Sequence, residues 1–362
     1  MPNNFPVGSV LVDTDYQQMV NESRLTLPRN MSYTIEPDSL DLYLGRDIYQ
    51  VTGIPDLAGG FDPKSFLANH IWSKFSLRDK PINLVRKNAY LAKLSHKIQL
   101  NPDEHGIASG RSSIGRTDVT TLLLAEGSVR FNEIPAGYNG NLWLLFVPQS
   151  FSLSVSWPVS LNQLRIHRGT RQLMSATELR RIHHDGNLIA NPDLDPIISG
   201  DRLMLRLDLS GKPSNLVPTN RNEPVKLLAK SNEPNKYWVE KPLGLTNELW
   251  LEPGEFALLK TLEVVKVPNY AVMSMIGYDD GNGEYRTHYA AFVSAGWCAP
   301  LMCEVRNLAP VPICLQHSMI IASLEYEYLT QKPQTEFKNA ISGKRYHHQT
   351  GVTLPVWFAP RE

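Results

Sequence analysis

Gly110-Arg111-Ser112-Ser113-Ile114-Gly115-Arg116-Thr117-Asp118 gathers two guanidinium groups, two serine hydroxyls and two glycines in nine residues. Arginine carries a rigid fork of donors that suits phosphate or carboxylate oxygens, and a serine hydroxyl donates or accepts. Glycine lets a backbone come close to a ligand. Such a run is also what a solvated surface turn looks like, so its meaning depends on what faces it. A second residue of interest is Glu304, a lone carboxylate in the apolar stretch Leu301-Met302-Cys303-Glu304-Val305. Burial there would raise its pKa and a nearby arginine would lower it, a balance that leaves a competent base. The plainer reading is an outward-facing strand glutamate, or one half of a pair with Arg306. A third is the basic run Arg345-Tyr346-His347-His348-Gln349-Thr350-Gly351, which is either a solvated tail or an anion-binding segment.

Other chemistries are absent from the sequence. Zinc-dependent nucleoside deaminases need H-x-E together with P-C-x-x-C to hold the ion and its water. Here Cys298 and Cys303 are five apart and no H-x-E occurs. His183-His184-Asp185 and His347-His348 are adjacent rather than at a ligand spacing, as solvated pairs would be. There is no P-loop, no G-x-G-x-x-G and no G-x-S-x-G.

The elements that must position these residues are mainly strands. The 362 residues include 26 prolines and 23 glycines, which separate many short apolar runs. Thr120–Leu124, Leu142–Val147, Leu203–Leu207 and Phe256–Leu259 read as strands between turn signals. Helices are few: one is expected from about Asp13 to Glu22, and one after Ser175, where Ser175-x-x-Glu178 forms a capping box. Length alone suggests two domains, and an internal repeat supports that. Asn88–Pro102 parallels Gly254–Pro268; Gly137-Tyr138 and Gly140–Leu145 parallel Gly296-Trp297 and Leu301–Glu304; Leu161–Leu164 answers Ile320–Leu324. The expected division is a first unit over 1–172, a connecting helix and linker over 173–200, and a second unit over 201–362.

Lys+Arg and Asp+Glu both number 36, so bulk charge attracts neither nucleic acid nor an acidic membrane, and an anionic ligand needs a local cluster. Three cysteines are too few for a disulfide framework and fit a reducing cytoplasm. The N-terminus lacks the charged and apolar regions of a signal peptide, and no apolar run reaches membrane-spanning length.

With the repeat established, the chain resembles the dCTP deaminase branch of the dUTPase-like superfamily, in its long form of two fused units. Ile35-Glu36-Pro37-Asp38-Ser39-Leu40-Asp41 is similar to that family's opening strand, and Arg111–Arg116 to its R-S-S-x-x-R motif. His288–Phe292, Gly296-Trp297 and Glu304-Val305-Arg306 are similar to its pyrimidine pocket and catalytic-glutamate strand, and Arg345–Gly351 to its phosphate-covering segment. The resemblance implies a mainly β fold of two tandem dUTPase-like β-barrel or distorted jelly-roll units with few short helices. The units depart from the pattern in complementary ways. Leu145 stands at the glutamate position of the first unit, and Ile276-Gly277-Tyr278-Asp279 replaces R-S-S in the second.

The activity implied is zinc-independent deamination of dCTP to dUTP and ammonia, on the route to dTTP. Catalysis would fall to Glu304, Ser112 and Arg116. Substrate would be held by Arg111, Ser113, Ala290, Arg345, Tyr346 and Gln349, with Mg²⁺ arriving on the triphosphate. One complete site would form where the first unit meets the second, within one chain or between neighbours, and the degenerate pairing would be structural, with Leu145 packing the barrels together. The partners implied are the nucleotide and further copies of the chain, a trimer of two-unit chains being one form, with no nucleic acid and no membrane. Two alternatives are a bifunctional enzyme that ends at dUMP and a non-catalytic nucleotide sensor. The family's hydrolases use an Asp on the turn before the aromatic residue, where Ser294 and Pro135 stand here, which weighs against the first.

Overall fold

Six runs in the first half of the chain become the main strands of one antiparallel sheet: β1 (Ser39–Val51), β2 (Ala89–Gln99), β3 (Glu104–Gly110), β4 (Val119–Ala125), β5 (Asn139–Pro148) and β6 (Ser160–Arg168). Five more form the second sheet: β7 (Arg202–Asp208), β8 (Phe256–Lys266), β9 (Ala271–Gly277), β10 (Cys298–Asn307) and β11 (Ile320–Tyr328). The computed structural model describes residues 8–28, 34–77, 80–186, 188–277, 285–287, 290–346 and 349–360, the side chains of 285–287, 341, 342 and 345 excepted.

The repeat is visible in the strand order. The first sheet runs β4-β5-β2-β1-β6-β3 and ends on the short strand Glu133–Ile134. The second begins with Tyr285–Thr287, continues β10-β8-β7-β11-β9 and ends on Phe292–Val293. Each member of one series therefore has its counterpart at the same place in the other. Register agrees as well: Leu145 lies opposite Leu91 and Glu304 opposite Leu258, so Leu145 and Glu304 are equivalent positions. Alternation produces these strands. In β2 and β8 every second side chain enters a core of aliphatic residues, including Leu42, Leu94 and Leu144 in the first unit and Leu205, Leu259 and Leu301 in the second.

The helices carry local signals. The chain forms α1 (Asp13–Asn21) and α2 (Pro63–His70), the latter started by Pro63 and by Asp62, whose side chain accepts from the Lys64 amide. Next come α3 (Ser112–Gly115) and α4 (Ala176–Gly186). The expected capping box of α4 is formed, with the Ser175 amide donating to Glu178 at 2.7 Å and the Glu178 amide to Ser175 Oγ at 3.3 Å. The last two are α5 (Pro234–Tyr237) and α6 (Ile341–Tyr346). Among the described residues no helix is long and apolar enough to cross a membrane.

Two segments stitch the units together. The stretch Gly8–Val10 runs between β6 and β11: the Gly8 and Val10 amides donate to Leu329 and Tyr328, and the Arg168 amide donates back to Ser9. A Cβ on Gly8 would lie 2.1 Å from the Tyr328 carbonyl oxygen, so only glycine fits. The other stitch is the connector. Val225 and Lys226 pair in parallel with Leu153 and Ser154 of the first unit, and Trp238 packs against Phe151, Phe256 and Phe358. The connector and the C-terminal Val352–Phe358 thereby fill part of the first unit's core.

One expectation is overturned. Leu145 is fully buried, but its cluster comprises Val51, Leu57, Phe61, Leu91, Leu124 and Trp143, with Phe66 and Leu67 packed against it, all of the first unit. The segment that carries α2 folds over this face. Leu145 is covered by its own unit and does not pack the barrels together.

Candidate active site

The serine-arginine run leaves the end of β3 as a single tight turn of helix, α3, entered from Arg111 in extended conformation and closed by Arg116. β10 of the second unit supplies the facing wall. Glu304, only 2% exposed, points its carboxylate at Gly115: a Cβ there would lie 2.3 Å from Oε2 and 2.5 Å from Cδ and Oε1. Gly115 has no positive φ and is needed for space alone. The Ala290 amide donates to Glu304 Oε2 at 3.0 Å, and the neighbouring Ala291 amide donates to Ser109 Oγ of β3 at 2.8 Å. The two half-motifs therefore meet within one chain.

Arg116 lies at the centre of this contact. It is buried, and burial pushes its guanidinium pKa down while the Tyr346 hydroxyl and the Glu304 carboxylate pull it up. NH1 donates to the Thr353 carbonyl and NH2 to Gln349 Oε1, each at 3.0 Å, and the guanidinium stacks 4.0 Å from the Tyr346 ring centroid. Gln349 Nε2 reaches the Pro300 carbonyl on β10 at 2.6 Å, so this one side chain joins both walls. The Tyr346 and Ser113 hydroxyls share a short hydrogen bond. Thr117 Oγ1 donates to the Ser113 carbonyl and accepts from Trp357 Nε1. The C-terminal segment thus lies directly on the arginine-serine turn.

Arg111 points elsewhere. Its Nε pairs with Asp41 at 3.1 Å, and it lines a cavity of about 920 Å³ with Lys230, Lys344, Tyr346 and Trp357. Arg116 and Glu304 are not on that lining, and Tyr346, which is, covers Arg116. Ser112 is half-buried on the first turn of α3 and Ser113 is buried. Of the residues expected at the site, Glu304, Arg116, Ser113, Tyr346, Gln349 and Ala290 form one connected group, with Arg111 and Ser112 at its edge. The Arg345 side chain, His288, Tyr289, His347, His348, Tyr278 and Asp279 lie outside the described residues.

Three further contacts hold this region, and sequence reasoning missed all of them. Arg165, fully buried in the first unit, bonds Asp38 at 2.8 Å and the Met273 carbonyl of the second unit at 3.1 Å, and stacks 4.2 Å from the Phe292 ring. Asp38 in turn accepts from Ser294 Oγ and the Ala295 amide. Ser109 holds Ala291, as above. Finally, Arg306, which the sequence offered as a partner for Glu304, forms an ion pair with Asp118, two residues beyond Arg116. A signal existed only for this last pair: Arg306 is two residues from Glu304 on a strand, hence on its face.

A tandem pair of like barrels, with an arginine-serine turn of the first against a buried carboxylate of the second, defines a protein of the dUTPase-like class. Comparison with known proteins sharpens this. Residues 7–170 match the 2'-deoxycytidine 5'-triphosphate deaminase (DCD) N-terminal domain and residues 175–358 the DCD C-terminal domain, and the chain belongs to the dCTP deaminase family. It is 33% identical over 106 residues to a "dCTP deaminase, dUMP-forming" of Dictyoglomus turgidum, covering 29% of this chain and 54% of that one. It is 32% identical over 120 residues to a "dCTP deaminase" of Histophilus somni, covering 32% of this chain and 60% of that one. The chain thus spans little more than half the length of these curated relatives. The crystal structure of 2'-deoxycytidine 5'-triphosphate deaminase from Agrobacterium tumefaciens matches over 91% of this chain and 97% of that chain, with a TM-score of 0.84 and 27% identity.

Proposed function

We propose that the protein deaminates dCTP to dUTP and ammonia, with Glu304 as the group that moves protons. The observation that carries this reading is the meeting of a buried carboxylate, Glu304, with the Arg111–Arg116 turn in one chain, when neither unit has both. Glu304 would take a proton from water as the oxygen bonds to C4 of cytosine, and pass it to N3. It would then carry the hydroxyl proton to the departing amine, so that the C4–N bond breaks and ammonia leaves. Arg116 would serve as counter-ion to Glu304, and Ser112 would hold the water or the amine. The Ala290 backbone would read the base edge. Arg111, Ser113, Arg345, Tyr346 and Gln349 would hold the triphosphate, which requires the C-terminal segment to release Ser113 and Arg116 as nucleotide enters.

Mg²⁺ would come with the triphosphate. Asp41, the carboxylate on the cavity wall, is paired with Arg111, which suits an ion ligated by phosphate oxygens and water. Neither zinc nor a second chain is called on to complete the site, whatever homo-oligomer the chain forms. A cytoplasmic setting accords with cysteines that are all free thiols.

A second reading, in which the product is dUMP, has support from relatives named "dCTP deaminase, dUMP-forming". It needs a carboxylate free to activate a second water. The carboxylate that touches the Ser294 turn, Asp38, is fully buried and tied to Arg165 and the Ala295 amide, which favours dUTP. Purified chain with dCTP and Mg²⁺ should release ammonia and leave dUTP as the nucleotide seen by chromatography. Ammonia with dUMP would establish the bifunctional reading, and binding without ammonia a sensor.

A further inference from the structure

Glu304 can act on a base held by the arginine-serine turn only if β10 and that turn keep their relative position, and they belong to different units. Backbone pairing does not join them. Side chains do: Gln349 bonds both Arg116 and the Pro300 carbonyl, and a buried ion pair joins the two walls directly. Asp118 and Arg306 lie 188 positions apart, and the guanidinium and carboxylate meet with NH2 against Oδ2 and Nε 3.4 Å from Oδ1. Both side chains are shielded, Asp118 completely and Arg306 with 12% exposed.

Each partner is itself fixed. Asp118 has φ +60°, a left-handed conformation that Asp tolerates better than most residues. Its amide closes the turn onto the Gly115 carbonyl at 2.8 Å, its carbonyl accepts from the Gln149 amide at 2.9 Å, and Ser150 Oγ donates to its carboxylate. Arg306 also donates to the Gly254 carbonyl and, at 3.2 Å, to Ser150 Oγ. The pair therefore joins two rigid frames rather than two mobile side chains.

The spacing gives the pair its function. Arg306 follows Glu304 by two residues on a strand, so both side chains leave the same face about 7 Å apart. Asp118 follows Arg116 by two residues at the end of the turn. The contact of 306 with 118 runs beside the contact of 304 with 115 and 116, and a slide of β10 along the turn breaks both together. We propose that Asp118 and Arg306 are positioning residues, a clamp that sets the carboxylate of one half-site against the arginine-serine turn of the other. This rests on the reading of Glu304 as the proton-moving group.

The test uses full-length chain with Asp118→Asn, Arg306→Met and the double variant. Asn keeps the left-handed turn and the volume, and the double variant leaves neither charge orphaned should a single variant fail to fold. Ammonia release at saturating dCTP should fall about tenfold or more in Asp118→Asn, since misplacement by an ångström costs up to about a hundredfold, while the dCTP dissociation constant stays near the parental value. The double variant should lose no more than the worse single one, because the two charges act as one device. Amide hydrogen exchange at Ala290, Ala291 and along Cys298–Asn307 should quicken in the same variants without nucleotide. Parental turnover in Asp118→Asn, losses that multiply in the double variant, or unchanged exchange would each overturn the clamp. If parental protein releases no ammonia from dCTP, the deaminase reading fails and the exchange measurement alone decides for or against the clamp.

Discussion

Glu304→Gln changes one oxygen of the proposed catalytic group to an amide nitrogen, removing its charge and keeping its size and shape. Glu304 is 2% exposed, against the Gly115 backbone on one side and the Ala290 amide on the other. Gln has the same volume, and its carbonyl oxygen can keep the 3.0 Å bond from Ala290, so no cavity results and the Ala290 amide keeps its acceptor, while Arg116 loses the charge that faces it. What is lost is the ability to accept, hold and return a proton. General acid–base catalysis is worth about 10²–10⁴ in rate, or roughly 3–5 kcal/mol of transition-state stabilisation. The loss should fall on kcat. Nucleotide affinity, which draws on Arg111, Ser113 and the backbone, should be little changed. Steady-state ammonia release gives kcat, and calorimetric titration with dCTP and Mg²⁺ gives affinity together with a stoichiometry of one nucleotide per chain. A variant that deaminates at near the parental rate would refute the assignment of Glu304. Binding lost together with turnover would mean that the carboxylate holds the fold of the site rather than the proton.

Two further predictions concern charge. Arg111→Ala should weaken dCTP far more than deoxycytidine, by about 1.5–3 kcal/mol, because a charge-assisted hydrogen bond is lost only for the phosphorylated ligand; equal losses in paired titrations would remove Arg111 from the phosphates. His96 is buried in the first unit beside the Tyr43 amide, and burial pushes its pKa from 6.5 down to about 3. Between those values the unfolded chain binds a proton that the folded chain does not. His96 alone should therefore take away about 1.4 kcal/mol of stability per pH unit as pH drops from 6.5 toward 3. His96→Gln should lose less over that window in denaturant titrations, and parallel curves for the two proteins would contradict this.

The barrels were legible because strands alternate and turns announce themselves. The strands that carried the repeat in the sequence, β2 and β8, have the same length and the same neighbours in the sheet. Pairing them by Pro102 and Pro268 is off by one residue, since Ala89 corresponds to Phe256; such a slip exchanges the two faces, and the runs Tyr90–Ala92 and Phe256–Leu259, buried on both faces, hide that exchange. The complementary half-motifs were legible too, because residue type alone shows that Leu145 cannot move a proton. What covers Leu145 was not, although Asp62-Pro63 is a helix-start signal for α2. Contacts distant in the chain were the least accessible. Nothing near Trp238 indicates that it enters the first unit's core, and nothing near Arg111 indicates that Asp41 holds its Nε. The Asp118–Arg306 pair joins residues that only the folded arrangement of the units brings together.

The central claim is that one chain closes its own site from two unlike halves. Mixing two inactive full-length proteins tests it most directly: one variant with Arg116→Met and Ser113→Ala, which loses the first-unit half, and one with Glu304→Gln, which loses the second. Each keeps the half that the other lacks. If the halves meet within a chain, then ammonia release from dCTP stays at the level of the separate variants, even after the two are unfolded and refolded together. Recovery of activity on co-refolding would show that the arginine-serine turn of one chain works with the glutamate of another, and would contradict the account.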